Sequence, residues 1–266
     1  ALIIAAIAGG IVLAGQLGII GSATSPDSST QSSSQSTDKA DGGHSSNGSG
    51  TDNANGTGGV GGTDGADGDN QDTVTDNPLK IVESGWSADQ QGYVHYAFAL
   101  RNTSTTQQVQ YPQITITGRA KDGSIVFSQT QALNMAFPNQ TVYDAGQAGE
   151  GTAPATVDFV VLSPDTYNVT EAQGTATFPI SGTSKIDNRD GGTTFNGEVR
   201  AVADGFKPSD GQQIKISLVL RNAQNAIIYG DIAFVDWPGN GRSTPFSITV
   251  YDLPKYVSYD LYAQIW

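Results

Sequence analysis

A mainly β protein is what this sequence predicts: two antiparallel β-sandwich domains behind a long hydrophobic N-terminal α-helix and an extended linker. Three observations carry that expectation. Residues 1–21 are almost wholly apolar, and residues 22–78 are Ser, Thr, Gly, Asp and Asn with almost no large apolar side chain. From Leu79 onward, short runs alternate apolar and polar residues between turn signals, and helical periodicity nearly disappears. The expected boundaries are 1–21 for the helix, 22–78 for the linker, and 79–180 and 181–266 for the two β domains.

The first element reads ALIIAAIAGGIVLAGQLGII, where Gln16 is the one polar side chain. Twenty helical residues at about 1.5 Å each reach about 30 Å, the thickness of a bilayer's hydrocarbon layer. The run is longer than the roughly 7 to 15 apolar residues that follow the basic segment of a secretory signal peptide. A retained segment at a processed-looking start is therefore the expectation. Ala6, Gly10, Ala14 and Gly18 recur at four-residue spacing and line up as a groove-like stripe, while Ile3, Ile7 and Ile11 form a ridge on another face. Such a surface suits helix-on-helix packing. A lone membrane anchor is the alternative, because glycine and alanine are common in membrane helices.

This pattern resembles mature type IV pilins of the archaeal kind. In that family a peptidase removes a short basic leader immediately before the apolar helix, and the helices then leave the membrane to bundle into a filament core. Bacterial type IV pilins usually carry a glutamate at the fifth mature position, where this chain has Ala5, so the resemblance is to the archaeal type. It implies copies of the same chain as partners through the helix, a membrane-inserted stage before assembly, and an extracellular place on a cell-surface filament.

In the linker, Val60 and Val74 are the exceptions to a polar composition. Such a chain buries too little surface to offset the entropy of ordering, so an extended spacer is expected, with a root-mean-square span of about 40 Å. Asp64, Asp67, Asp69 and Asp72 lie beside glycines, yet neither the EF-hand spacing nor the calcium-binding nonapeptide repeat is matched. They read as a solvated acidic stretch. Asn-x-Ser/Thr sequons at Asn47, Asn55, Asn102, Asn139 and Asn168 are candidate glycosylation sites.

Past Pro78, "YVHYAFAL" places Val94, Tyr96, Phe98 and Leu100 on one side and Tyr93, His95, Ala97 and Ala99 on the other, the mark of a half-buried strand. Strands are also expected in "QITITG", "SIVFSQ" and "ATVDFVVL", with turns at Asp122-Gly123 and Ser163-Pro164-Asp165. The pattern then repeats. "QQIKISLVLRNAQNAIIYGDIAFVD" can be laid beside "YPQITITGRAKDGSIVFSQTQAL", and "PFSITVYDLPKYVSYDLYAQIW" beside "TVDFVVLSPDTYNVTEAQGTATF". Two related modules follow, dividing near Pro179 to Ser184. Strand, polar turn, strand, and an apolar strand leading into a proline-bearing turn is similar to the extracellular FxLyD-type domains of bacterial and archaeal surface proteins. That resemblance implies an immunoglobulin-like sandwich and an extracytoplasmic location, and no chemistry.

The chain's 13 basic against 26 acidic residues, a net charge of −13, disfavour a nucleic-acid partner. With no cysteine and two histidines, it offers no thiol nucleophile or zinc-thiolate site, and no Ser-His-Asp set assembles around His44 or His95. Asp187 and Asp190 in "DNRDGG" read as a tight turn rather than a metal loop. Trp86, Trp237, Trp266, Tyr251, Tyr256, Tyr259 and Tyr262 read as packing, with an interface or a sugar ring as the alternative for exposed tyrosines. No enzyme, cofactor or metal is therefore expected. The leading expectation is a structural subunit of a type IV pilus-like filament displaying glycosylated β domains for adhesion to a surface or carbohydrate ligand. The alternatives are a single-pass anchored binding module and, third, a surface hydrolase with an acidic site.

Overall fold

The computed structural model describes residues 77–266. The apolar run with Ala6, Gly10, Ala14 and Gly18, the sequons at Asn47 and Asn55, and the Asp64 to Asp72 carboxylates lie outside the described residues. Within 77–266 the chain is mainly β, in several small antiparallel sheets. One 3₁₀ turn, Thr166–Asn168, is the only helical element among the described residues.

The chain passes through β1 (Leu79–Ala88), β2 (Val94–Asn102), β3 (Gln107–Gln110), β4 (Gln113–Arg119) and β5 (Ile125–Ala132). It continues through β6 (Met135–Ala136), β7 (Thr141–Ala148), β8 (Thr156–Val161) and β9 (Val169–Glu171). These strands form the sheets β1-β2-β7, β5-β4-β8 and the small β6-β3-β9. Val94, Tyr96, Phe98 and Leu100 of β2 pack with Ile114 and Ile116 of β4 in one core, flanked by Val157, Phe159 and Val161 of β8. The expected inner faces of these strands are thus the ones that meet.

A second set begins with β10 (Thr175–Thr177), β11 (Ile180–Asp187), β12 (Thr193–Arg200) and β13 (Val202–Asp204). It ends with β14 (Gln213–Arg221), β15 (Ile227–Asp236), β16 (Ser243–Val250) and β17 (Ser258–Ile265). Its sheets are β11-β12-β16, β15-β14-β17 and the pair β10-β13. Ile214, Ile216, Leu218 and Leu220 of β14 enter its core with Phe195, Phe246 and Ile248. Ala176 and Phe178 also belong to this core, and Phe137, from the loop after β6, reaches into it.

The two sets share one strand pattern, β1-β2-β7 with β5-β4-β8 and β11-β12-β16 with β15-β14-β17, and each is called a module below. The hairpin β14-β15 corresponds to β4-β5, as the sequence repeat indicates. The last part of the repeat shifts by one strand. "PFSITV" pairs with β12 as β7 pairs with β2, so its counterpart is "TVYDAGQA" and not "TVDFVV". The physical reason is that Asp144, Gly146 and Gln147 break the apolar alternation of β7, leaving β8 as the next recognisable strand.

Side-chain oxygens of Asp and Asn set the hairpins. Asp89 Oδ1 accepts the N–H groups of Gln91 and Tyr93 at 2.9 Å each between β1 and β2. Asn222 Oδ1 does the same for Gln224 and Ala226 at 3.0 Å between β14 and β15, the competition of Asx side chains with the backbone that favours turns. Asp122 closes the β4-β5 turn by accepting from Ser124 N–H at 3.0 Å, as the sequence signals.

Candidate functional site

The most constructed region of the described chain is the junction between the modules. The face of β2 expected to point outward does not: Ala97 and Ala99 are fully buried. With Ala145 of β7, Ala97 packs on Val219 of β14 and Ile227 of β15, forming a third core between sheets β1-β2-β7 and β15-β14-β17. Strands β2 and β14 are therefore covered on both faces. The reason was present in side-chain size: alanines at alternate positions let a second sheet come close, which longer polar side chains would prevent.

Two glycines fix how close. A Cβ on Gly85 of β1 would lie 1.9 Å from the Ile227 carbonyl oxygen. One on Gly230 of β15 would lie 2.4 Å from the Tyr96 carbonyl oxygen and 2.7 Å from the Ala145 Cβ. Real Cβ atoms do not tolerate such approaches, so both positions admit glycine alone without movement of a sheet.

Charged groups cross the same boundary. Lys215 of β14 and Asp144 of β7 pair at 2.5 Å with both side chains fully buried. The ammonium also sits 4.6 Å from the Trp266 ring centroid and 6.0 Å from that of Phe234, a favourable arrangement for a desolvated cation. Arg221 of β14 donates to both carboxylate oxygens of Glu83 in β1 and to Asp260 of β17 at 2.7 Å. The Glu83 hydrogen bonds raise the Arg221 pKa further above its ordinary value. Tyr143 and Tyr262 stack across the junction at 3.7 Å between centroids, and burial pushes the Tyr262 hydroxyl up to about 12.

His95 is half-buried on this face of β2. It stacks on Tyr229 at 4.6 Å, and its Nε2 lies 3.5 Å from Asp89 Oδ2. The Tyr229 hydroxyl donates to Asp231 at 3.4 Å. Burial raises the pKa of both Tyr229 and Asp231, against the backbone N–H of Ile232, the neighbouring His95 and the Tyr229 hydroxyl, which lower that of Asp231.

The remaining predicted sites are scattered. Asn102 is fully buried. Its Nδ2 donates to the carbonyls of Gln107 at 2.8 Å and Ala136 at 3.0 Å, and its Oδ1 accepts from Ser104 N–H at 3.0 Å. It is a structural pin between strands, so a glycan on Asn102 is incompatible with the folded module. Asn139 is exposed in the loop before β7 with φ +57°, and Asn168 is half-buried in the 3₁₀ turn. Asp190 accepts from Gly192 N–H at 3.0 Å and from the Tyr251 hydroxyl at 3.2 Å, while Asp187 pairs with Lys185 at 3.0 Å. Among the described residues no three metal-ligating side chains cluster, and no helix is long and apolar enough to cross a membrane.

The local sequence pattern does not mark Lys215, Asp144, Glu83, Arg221, Gly85 or Gly230 as junction residues. One signal was available: Val219 between Lys215 and Arg221, with Ala97 and Ala99 on β2, puts apolar residues on faces that simple alternation assigns to water.

No protein-family model and no curated protein sequence matches the chain. Among solved structures, the chain is similar to the exo-chitosanase CsxA of Amycolatopsis orientalis at 11% identity and a TM-score of 0.19, over 66% of this chain and 24% of that one. The chain thus spans about a quarter of that structure's length.

Proposed function

We propose that the chain is a structural subunit of an extracellular, type IV pilus-like surface filament. In this reading residues 1–21 form the helix that bundles with copies of itself after a membrane-inserted stage. Residues 22–78 form the spacer, and the two modules that follow, dividing before β10, are immunoglobulin-like β-sandwich domains displayed outside, carrying sugars at exposed sequons and serving adhesion.

The observation that carries the reading is the junction. A displayed body that transmits load between a filament and a surface gains from modules that do not hinge. Here the sheets meet at glycine distance, Phe137 of the first module sits in the second core, and Lys215–Asp144 and Arg221–Glu83 tie the two together. The small-residue stripe in the sequence supplies the mode of assembly. Interfaces between independently moving domains are ordinarily more polar and less closely packed.

Negative-stain microscopy of purified surface appendages, with mass spectrometry of their subunit, tests the proposal. Filaments built from this chain are expected. Recovery of the chain solely as detergent-soluble monomers contradicts it and favours a membrane-anchored display module.

A further inference from the structure

Between the modules opens a cleft of about 620 Å³, inside the range of about 300–1,000 Å³ typical of small-ligand sites, which favour domain junctions. The first module contributes Gln108, Gln110, Tyr111 and Asn134, and the second contributes Phe206 and Lys207. Gln173, in the segment joining β9 to β10, closes one side. We infer that this cleft binds an uncharged oligosaccharide, with side-chain amides holding its hydroxyl groups and a sugar face stacked on Tyr111.

The lining chemistry selects that class. A hydroxyl group both donates and accepts, and so does a carboxamide. The side chains of Gln110, Asn134 and Gln173 make no hydrogen bond to the described protein, unlike Gln108 and Gln212, which reach Thr170 and the Trp266 carbonyl. Their donors and acceptors are free for a ligand. A cationic ligand would call for carboxylates, and none lines the cleft although acidic residues number 26 in the chain. An anion would call for more than Lys207.

Tyr111 provides the stacking surface. It is 57% exposed and has φ +51°, a backbone region that few bulky residues adopt. It is held there by its N–H donating to the Asn134 carbonyl at 2.9 Å. Strained backbone that places a large exposed ring in a cleft is the kind of feature found at ligand sites. Gly174 and Phe206, also in the lining, hold two backbone segments in close contact, since a Cβ on Gly174 would lie 2.2 Å from Phe206 N. A peptide fits less well: β3, which supplies Gln108 and Gln110, is paired on both sides by β6 and β9 and offers no free edge.

The inference rests on the exterior display proposed above, and its test is read separately from filament formation. The full chain, wild type and variants, is applied to an array of neutral and sialylated oligosaccharides, with a Gln/Asn-rich peptide as control. The wild type is expected to retain a group of neutral oligosaccharides. Tyr111→Gly, which relieves the backbone and removes the ring, and Asn134→Ala are each expected to weaken retention about tenfold at an unchanged unfolding midpoint. No retained sugar, retention undiminished in both folded variants, or capture of the peptide instead would overturn the inference. Imaging the same preparations for filaments scores the structural proposal, so sugar binding without filaments, or filaments without sugar binding, assigns the failure to one of the two.

Discussion

Lys215 shows how much one side chain decides in this fold. Its ammonium pairs with the buried Asp144 carboxylate, whose Oδ1 also accepts the Ala145 N–H at 2.9 Å and whose Oδ2 has no donor among the described residues. Removing one member of a buried pair typically costs about 3–5 kcal/mol, because the survivor remains desolvated and uncompensated, whereas replacing both is often near neutral. Lys215→Met is therefore expected to lower unfolding stability by that amount in urea titration, and Lys215→Met with Asp144→Leu to recover most of it. Asp231 has the opposite sign. Burial raises its folded pKa above the unfolded value, so the folded state binds the proton more tightly. Its contribution to stability is greatest below the unfolded pKa and is lost as pH rises through the folded one. Asp231→Asn is expected to be more stable than wild type at pH 7 by thermal unfolding, with the advantage shrinking as pH falls toward 4. An advantage that does not change with pH would contradict this assignment. Neither residue is legible in the sequence, because a lysine and an aspartate at alternating strand positions read as solvent-facing until a second sheet is known to cover them.

At the level of strands and sheets, legibility follows the strength of alternation. Strands β2, β4, β5, β8 and β14 are readable because isoleucine, valine and phenylalanine recur every second residue and Asx or glycine turns bound them. Strand β7 is not, since Asp144, Gly146 and Gln147 interrupt its pattern, and β12 is masked by Asn196 and Gly197. What the alternation could not say is which polar-reading faces are covered. The pairing of sheet β1-β2-β7 with β15-β14-β17 depends on close approach at Gly85 and Gly230. Overpacking of this kind costs about 1–3 kcal/mol when the surroundings shift to accept it. Gly230→Ala is expected to destabilise the protein by that amount and to speed hydrogen exchange in both β2 and β15. A loss confined to β15 would mean that the two sheets are not held by the contact assigned to them.

For the whole molecule, the two modules are expected to behave as one cooperative unit. Phe137 of the first module packs in the core of the second, edge-on to Phe206 at 5.5 Å, and the third core is shared by both. Calorimetry of the chain should show one β unfolding transition, and two well-separated transitions would count against a locked body. In the proposed filament that body stands outside while the apolar helices pack through Ala6, Gly10, Ala14 and Gly18. In that proposal the stripe of Ala6, Gly10, Ala14 and Gly18 is the part that makes a polymer, so the most direct measurement is electron microscopy of cells producing Gly10→Leu or Gly18→Leu, with the unfolding transition recorded in parallel. Filaments are expected to vanish while the β transition stays where it is. Normal filaments from both variants would contradict the account.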